Sequence, residues 1–177
     1  MTEPKMTAGS ARLYRNNELL RQWPAVAYSA TEVPPGEATY RLESQEEVKG
    51  AQLSTKLDSA WTFRSGHVGS VTGLPFMAVH FKPRLDARNR ARAGVSVIPV
   101  SVQRQPGAPV GKVTGLNVDE SIDDGKTWQR VKLARVGDKW LAHVTNRSGT
   151  AVSLRAVAKD AEGDKAEQRI IRAYRVN

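Results

Sequence analysis

Apolar and polar residues alternate along most of this chain, and that period of two constrains its fold more than any other feature. Trp61 and Phe63 alternate with Thr62 and Arg64, so one side of a strand would be aromatic and the other polar. No window of about twelve residues keeps apolar residues at the three-and-four spacing of a helix. The sequence therefore predicts an all-β protein.

The first part of the chain predicts a small β-domain at residues 10–72, after a loose polar N-terminus at residues 1–9. Asn16 and Asn17 separate two strand-like stretches, and asparagine tolerates the left-handed backbone of a tight hairpin turn. The strands predicted in this domain are residues 11–15, 18–23, 26–30, 38–43, 53–57 and 61–64.

The second part, residues 73–177, predicts a larger unit. About seven short strands lie within roughly a hundred residues and are separated by turn signals, which is the spacing of an immunoglobulin-like or fibronectin-like β-sandwich. The predicted fold class is therefore all-β, with this sandwich preceded by the smaller β-domain. Its strands are expected at residues 76–81, 95–102, 116–118, 131–133, 140–145, 152–158 and 168–176.

Three local features of the second unit can be predicted in more detail. The strand at residues 95–102 changes face near Pro99, which indicates a β-bulge or a strand that switches sheets. In the strand at 152–158 the alternation points Ser153 and Arg155 toward water. Residues 160–164 are expected to close a hairpin into the last strand.

The composition limits the functional classes. The net charge of +9 lies entirely in the second unit: residues 1–72 contain eight Lys/Arg and eight Asp/Glu, whereas residues 73–177 contain 19 and 10. Without cysteine the chain can form neither disulfides nor thiolate sites. It has no apolar run long enough to span a membrane and no signal-peptide pattern, so no membrane partner is expected.

The sharpest motif is an Asp-box, S-x-D-x-G-x-T-W. It comprises Ser121, Asp123, Gly125, Thr127 and Trp128. An Asp side chain can accept backbone N–H groups in a turn, glycine permits a positive φ, and the Trp can pack back over the corner. Sialidases contain several copies of this motif, whereas single copies occur in many unrelated β-domains. We therefore expect a structural hairpin.

The residues available for catalysis do not form a recognisable catalytic motif. The histidines are His67, His80 and His143, and none lies near a nucleophile elbow or in a metal-binding spacing. The sequence thus predicts a protein that is not an enzyme and has neither a metal site nor a cofactor. Two clusters of acidic residues are candidate ligands for a calcium ion. One comprises Asp119, Glu120, Asp123 and Asp124, and the other comprises Asp160, Glu162 and Asp164.

The basic segment, residues 82–92, is the best candidate for contact with an anionic partner. Its candidate surface residues are Arg84, Arg88, Arg90 and Arg92. It lacks interleaved aromatic residues on which bases could stack, so nucleic acid is not the partner we expect. Between contact with an anionic partner and a solvated or internally paired loop, the loop is the reading we favour for this segment.

Seven stretches together resemble the non-catalytic C-terminal region of secreted, actinobacterial, subtilisin-like serine proteases, the subtilases. They are Ala38-Thr39-Tyr40-Arg41-Leu42, Trp61-Thr62-Phe63-Arg64-Ser65, Leu74-Pro75-Phe76, DARNRA from Asp86 to Ala91, DDGKTW from Asp123 to Trp128, Val152-Ser153-Leu154-Arg155-Ala156, and Ile171-Arg172-Ala173-Tyr174. The resemblance spans about residues 10 to 176.

This resemblance implies a secreted, extracellular parent protein with a Ser/His/Asp catalytic domain upstream of this chain. The subtilase motifs D-S/T-G, H-G-T and G-T-S-M-A are missing here, so no catalytic residue can be carried over. The implied function is that of an accessory β-sandwich region that stabilises or orients the catalytic domain, its partner in the parent chain, or docks protein substrate.

Two other functions remain as alternatives. A stand-alone module that binds carbohydrate or cell-wall polymer would need an exposed aromatic platform, for which Trp23, Trp128 and Trp140 are the candidates. Two of them exposed side by side would favour polysaccharide as the partner. A sialidase-type glycosidase would need several Asp-boxes, and this chain has one.

Overall fold

The chain begins with the hairpin that its paired asparagines predict. In the computed structural model, which describes residues 6–24, 31–108 and 111–177, Asn16 and Asn17 have φ angles of 50° and 68°. Two consecutive left-handed residues form the turn whose twist matches that of the flanking strands. The hairpin comprises β1 (Met6–Arg15) and β2 (Glu18–Pro24).

The remaining described residues form further strands and no helix, so the chain is all-β. The strands are β3 (Ala38–Val48), β4 (Lys56–Ser65), β5 (Met77–Phe81), β6 (Arg90–Ala91), β7 (Gly94–Arg104), β8 (Val113–Ser121), β9 (Gln129–Arg130), β10 (Lys132–Val136), β11 (Lys139–Asn146), β12 (Ala151–Asp160) and β13 (Lys165–Val176).

These strands form two sheets that pack as a sandwich. The larger sheet has the order β2-β1-β3-β4-β13-β12-β8-β9, with β6 lying parallel to the end of β13. The smaller sheet has the order β10-β11-β7-β5. Because β4 pairs with β13, the N-terminal strands extend a sheet of the sandwich. The boundary predicted between residues 72 and 73 lies in the loop between β4 and β5.

The apolar side chains of the described residues form two clusters. The sandwich core lies between the sheets and is lined by residues such as Ile98 of β7 and Leu154 of β12. A smaller group, which we call the flank cluster, contains Leu13, Ala38, Tyr40 and Phe63. Trp61 packs against both clusters.

Most predicted strands are confirmed, with differences at the N-terminal side. β1 already starts at Met6, within the segment predicted to be loose. The strand predicted at 61–64 is confirmed as part of β4, which starts at Lys56. The separate strand predicted at 53–57 is wrong, because residues 49–50 form a turn and residues 52–54 a bend before β4 begins. The strand predicted at residues 26–30 lies outside the described residues.

The two faces predicted for β7 are confirmed, but the β-bulge or sheet switch predicted near Pro99 is wrong. Val95 and Val97 are exposed while Ile98 and Val100 are 1% exposed, which is a regular alternation along one strand. The pairing with β11 runs without a register shift from Gly94 to Ser101. Pro99 is tolerated because its nitrogen lies on the β5 side, where the ladder ends with Phe81 opposite Val100, while its carbonyl still accepts the Lys82 N–H at 2.9 Å.

Candidate functional site

The Asp-box forms the turn between β8 and β9, and its polar groups bond to one another. The Ser121 hydroxyl donates to Asp123 Oδ1 at 2.7 Å, and the Thr127 backbone N–H donates to the same oxygen at 2.9 Å. The Thr127 hydroxyl donates to Asp123 Oδ2 at 2.6 Å. The bonds from Thr127 and then from Ser121 hold the pKa of Asp123 far below its usual value. The Asp123 carboxylate is therefore occupied within its own turn.

Gly125 fits this turn where a larger residue would not. Its φ is 80°, and a Cβ at this position would lie 2.7 Å from Ile171 Cδ1 and 3.1 Å from Trp128 Cζ2. The Trp128 Nε1–H donates to the Gly125 carbonyl at 3.0 Å, and the Arg155 guanidinium lies 4.7 Å from the centre of the Trp128 ring. The turn is thus packed closely onto β13.

Arg172 of β13 ties the Asp-box to the sandwich. Its guanidinium makes two 2.7 Å bonds to Asp124, which lower the pKa of that carboxyl. Arg172 has a φ of 57°, at an irregularity in the pairing of β12 with β13. Its backbone N–H donates to the Ser153 hydroxyl at 3.0 Å. Ser153 is therefore buried, and the expectation that it faces water is wrong, because it satisfies a backbone group at this irregularity.

The four arginines proposed as a binding surface do not line one groove. Arg84 lines a groove beside β7, whereas Arg90 lines another with Arg175. Arg88 and Arg92 are exposed in the connecting segment. Asp86 organises this segment by accepting the backbone N–H groups of Arg88 at 2.8 Å and Arg90 at 2.9 Å, and these bonds, that of Arg90 first, lower its pKa.

The histidines are dispersed. His80 and His143 are exposed and pair with Ser101 and Val97, so they lie on opposite sides of β7 and four residues apart along it. His67 is exposed in the loop after β4.

Several of the carboxylates considered for calcium accept hydrogen bonds from the protein itself. Asp160 accepts the backbone N–H groups of Gly111, Glu162 and Asp164 and so closes the expected hairpin between β12 and β13. Burial, and after it the charge of Asp160, raises the pKa of Asp164. Within the described part of the chain, no three His, Asp or Glu residues come together in a group that could hold a metal ion.

The three candidate tryptophans lie in different places. Trp140 is 5% exposed and belongs to the sandwich core. Trp128 is half-buried in the Asp-box turn, and Trp23 is half-buried against the flank cluster. No two of them form an exposed pair, which is the arrangement that would favour carbohydrate.

Comparison with family models, curated proteins and solved structures finds no match for this chain. The likeness to subtilase accessory regions rests on the sequence stretches quoted above. Along the described ranges, no helix is long and apolar enough to cross a membrane.

Sequence reasoning missed two features of the surface. The first is a row of charged residues across the larger sheet. In it, Asp119 accepts hydrogen bonds from Arg130 Nε at 2.6 Å and from Arg155 Nε at 2.8 Å. Burial raises the pKa of Asp119, but the two arginines outweigh it and lower the pKa overall. The second is the groove beside β7, about 570 Å³ in volume, which Lys82 and Arg84 line together with Val95 and Val97. The sequence placed Val95 and Val97 on one face of the strand and Ile98 and Val100 on the other, but it showed neither that Val95 and Val97 are exposed nor that a neighbour strand is missing.

Proposed function

We propose that this chain is a non-catalytic accessory β-sandwich region of a secreted subtilisin-like serine protease, which stabilises or orients the catalytic domain or docks protein substrate. The observation that supports it most is the state of the Asp-box. Asp123 is bonded to Ser121 and Thr127, and Asp124 is bonded to Arg172. These bonds support a structural role for the most distinctive motif in the chain, and we therefore look for function on the surfaces of the sandwich.

The protease context is supported by where the resembling stretches lie. DDGKTW contacts IRAY through the Asp124–Arg172 pair, and IRAY contacts VSLRA through the bond from Arg172 to Ser153. DARNRA reaches the same strand, since the Arg175 N–H donates to the Asn89 carbonyl at 3.2 Å. Stretches that must fit one another in space form a more specific signature than the same stretches counted singly.

The first test is the reading frame upstream of Met1 in the source genome. We expect it to encode D-S/T-G, H-G-T and G-T-S-M-A segments of a catalytic domain. A promoter and stop codon directly before Met1 would overturn the proposal, and binding screens on polysaccharides and anionic polymers would then follow.

The second test compares that protease with and without residues 10–177. If the accessory region stabilises the catalytic domain, its deletion should lower the Tm of that domain. If the region docks substrate, its deletion should lower kcat/KM for casein and leave kcat/KM for a short chromogenic peptide unchanged. If neither the Tm nor the casein rate changes, the accessory role is wrong.

A further inference from the structure

One strand of the smaller sheet is unpaired along part of one side. β7 pairs with β11 from Gly94 to Ser101, but β5 covers its other side only from Val100 to Arg104. Residues 95–98 therefore have no strand neighbour on the β5 side among the described residues. We call this stretch the open edge.

The direction of the backbone groups along the open edge follows from two bonds. The Pro99 carbonyl accepts the Lys82 N–H at 2.9 Å, and the Gln105 N–H donates to the Phe76 carbonyl at 2.9 Å. Odd-numbered residues of β7 thus direct their backbone groups toward the β5 side. Because the alternation is regular, Val95 and Val97 direct two N–H donors and two C=O acceptors out of the open edge.

The groove of about 570 Å³ runs along this edge. Lys82 and Arg84 also line the groove, and both are exposed. The Val95 and Val97 side chains are 75% and 46% exposed, so they offer apolar contacts next to the free backbone groups. The adjoining basic segment, residues 82–92, contains five Lys/Arg and one Asp.

We propose that the open edge binds an extended acidic peptide segment of a partner protein, which adds a short strand beside Val95 and Val97. Free N–H and C=O groups provide affinity for an extended backbone, and a groove that accommodates alternate side chains provides selectivity. Lys82 and Arg84 select carboxylate side chains on that segment by charge. This inference rests on the proposed docking role and specifies the site and the class of peptide.

The charged row on the larger sheet is a weaker candidate for the same partner. It borders a groove of about 500 Å³, but Arg130 and Arg155 are already paired with Asp119, and Arg169 with Asp58. An incoming carboxylate would have to displace an internal one. At the open edge the backbone groups of Val95 and Val97 need no such exchange.

The test is fluorescence anisotropy on the full 177-residue chain with a labelled Glu-Val-Glu-Val-Glu-Val peptide at low and moderate salt. Lys-Val and Glu-Pro repeats of equal length are comparison probes. We expect the Glu-Val peptide to bind most tightly, because Lys-Val has the wrong charge and the prolines of Glu-Pro provide no N–H donors.

Two single and two double variants locate the site. Val97→Pro removes one N–H of the open edge without breaking a ladder bond, and we expect it to bind the Glu-Val peptide about fivefold more weakly. Val97→Thr keeps that N–H and should bind the peptide as the parent chain does. Lys82→Glu with Arg84→Glu should weaken binding at least about tenfold. Lys112→Glu with Lys159→Glu, an equal change in net charge at other exposed sites, should have a much smaller effect.

Several results would overturn the inference. Equal binding of Glu-Val and Glu-Pro, or of Glu-Val and Lys-Val, would exclude strand addition with acidic selection. If an oligothymidine binds more tightly than the Glu-Val peptide, and Val97→Pro does not change its affinity, the groove is a polyanion site instead. If Val97→Pro lowers the Tm strongly, a Glu-Val peptide methylated on its backbone nitrogens removes instead the bonds that the peptide donates to the Val95 and Val97 carbonyls, and unchanged affinity contradicts the proposal.

The binding test and the proposed function can fail separately. If Glu-Val does not bind but deletion of residues 10–177 still alters the protease, the accessory role stands and the open edge is not its site. If Glu-Val binds as expected but the upstream frame encodes no protease, the peptide site stands and the protease context is wrong.

Discussion

The sandwich and the N-terminal flank share one sheet, yet they bury very different amounts of apolar surface. The sandwich core contains 18 buried residues among those described, and the flank cluster contains four. In the sandwich a second sheet covers the first. Over the flank, Phe76 supplies part of the cover by packing edge-on against Phe63 at 5.4 Å. Since buried apolar area provides most folding free energy, the flank depends on its neighbour.

Trp61 is the residue on which this dependence rests. It packs against both clusters, stacks on Phe76 at 5.0 Å and donates its Nε1–H to the Met77 carbonyl at 2.8 Å. Trp61→Ala should cost about 3–5 kcal/mol of unfolding free energy, the largest effect we expect, because a large aromatic side chain is lost between two clusters. Denaturant unfolding measures this value.

Hydrogen exchange then separates the two regions. In Trp61→Ala the amides of β1 and β3 should exchange faster even under conditions where β12 remains protected. Leu13→Ala, confined to the flank cluster, is the matched variant and should accelerate exchange in the flank alone. Equal acceleration in β12 and β3 for Leu13→Ala would mean that the two regions unfold as a single unit.

Gly125→Ala tests the sandwich without touching the flank. The added methyl would lie 2.7 Å from Ile171 Cδ1, at a φ of 80° that side chains rarely adopt. We expect a loss of about 1–3 kcal/mol and faster exchange in β8 and β13. Gly137→Ala is the control, since its φ is 60° but no atom lies near the new methyl. Equal losses for the two variants would attribute the effect to φ rather than to packing.

Tyr174→Phe tests a single bond inside the sandwich. The Tyr174 hydroxyl donates to Asn146 Oδ1 at 2.9 Å, and both residues are buried. Removing the hydroxyl leaves a buried acceptor without this donor, which should cost about 1–2 kcal/mol. The Tm should fall, while exchange in β1 and β3 should not change. An unchanged Tm would show that another group satisfies Asn146.

The smallest effects concern pH, and they differ in sign. Arg172 lowers the pKa of Asp124, so this pair stabilises the fold above the ordinary value of 3.8 and is lost as the pH falls through the lowered pKa. Asp124→Asn should therefore cost less than about 1 kcal/mol at pH 7 and nothing in strong acid.

Glu120 should behave in the opposite way. Burial raises its pKa, the Thr145 N–H and Arg147 oppose the rise, and Oε2 is buried without a partner. The neutral form stabilises the fold below the ordinary value of 4.5, and that contribution is lost as the pH rises through the raised pKa. Glu120→Gln should therefore raise the Tm at pH 7 and change it little at pH 4. Parallel pH profiles for Glu120→Gln and Asp124→Asn would contradict this assignment.

The sequence pattern correctly predicted the structural elements that depend only on residues close together along the chain. The Asn16-Asn17 hairpin depends on two residues that accept a left-handed backbone, and the all-β class depends on alternation within each strand. Features that depend on a distant partner could not be predicted this way. Ser153 looked like a solvent residue because nothing in its own strand shows that Arg172 needs an acceptor there.

The sequence by itself determined that this chain makes strands, where several turns fall and which faces are apolar, because side-chain alternation and turn chemistry act over a few residues. Only the tertiary structure decided that Trp61 pairs opposite Ala166, which joins the flank to the sandwich. It also decided that β5 stops at Phe81 and that, within the described part of the chain, no strand lies beside residues 95–98 of β7 on that side. Strand order arises from contacts between residues far apart along the chain, and local alternation contains no record of the neighbour a strand will have.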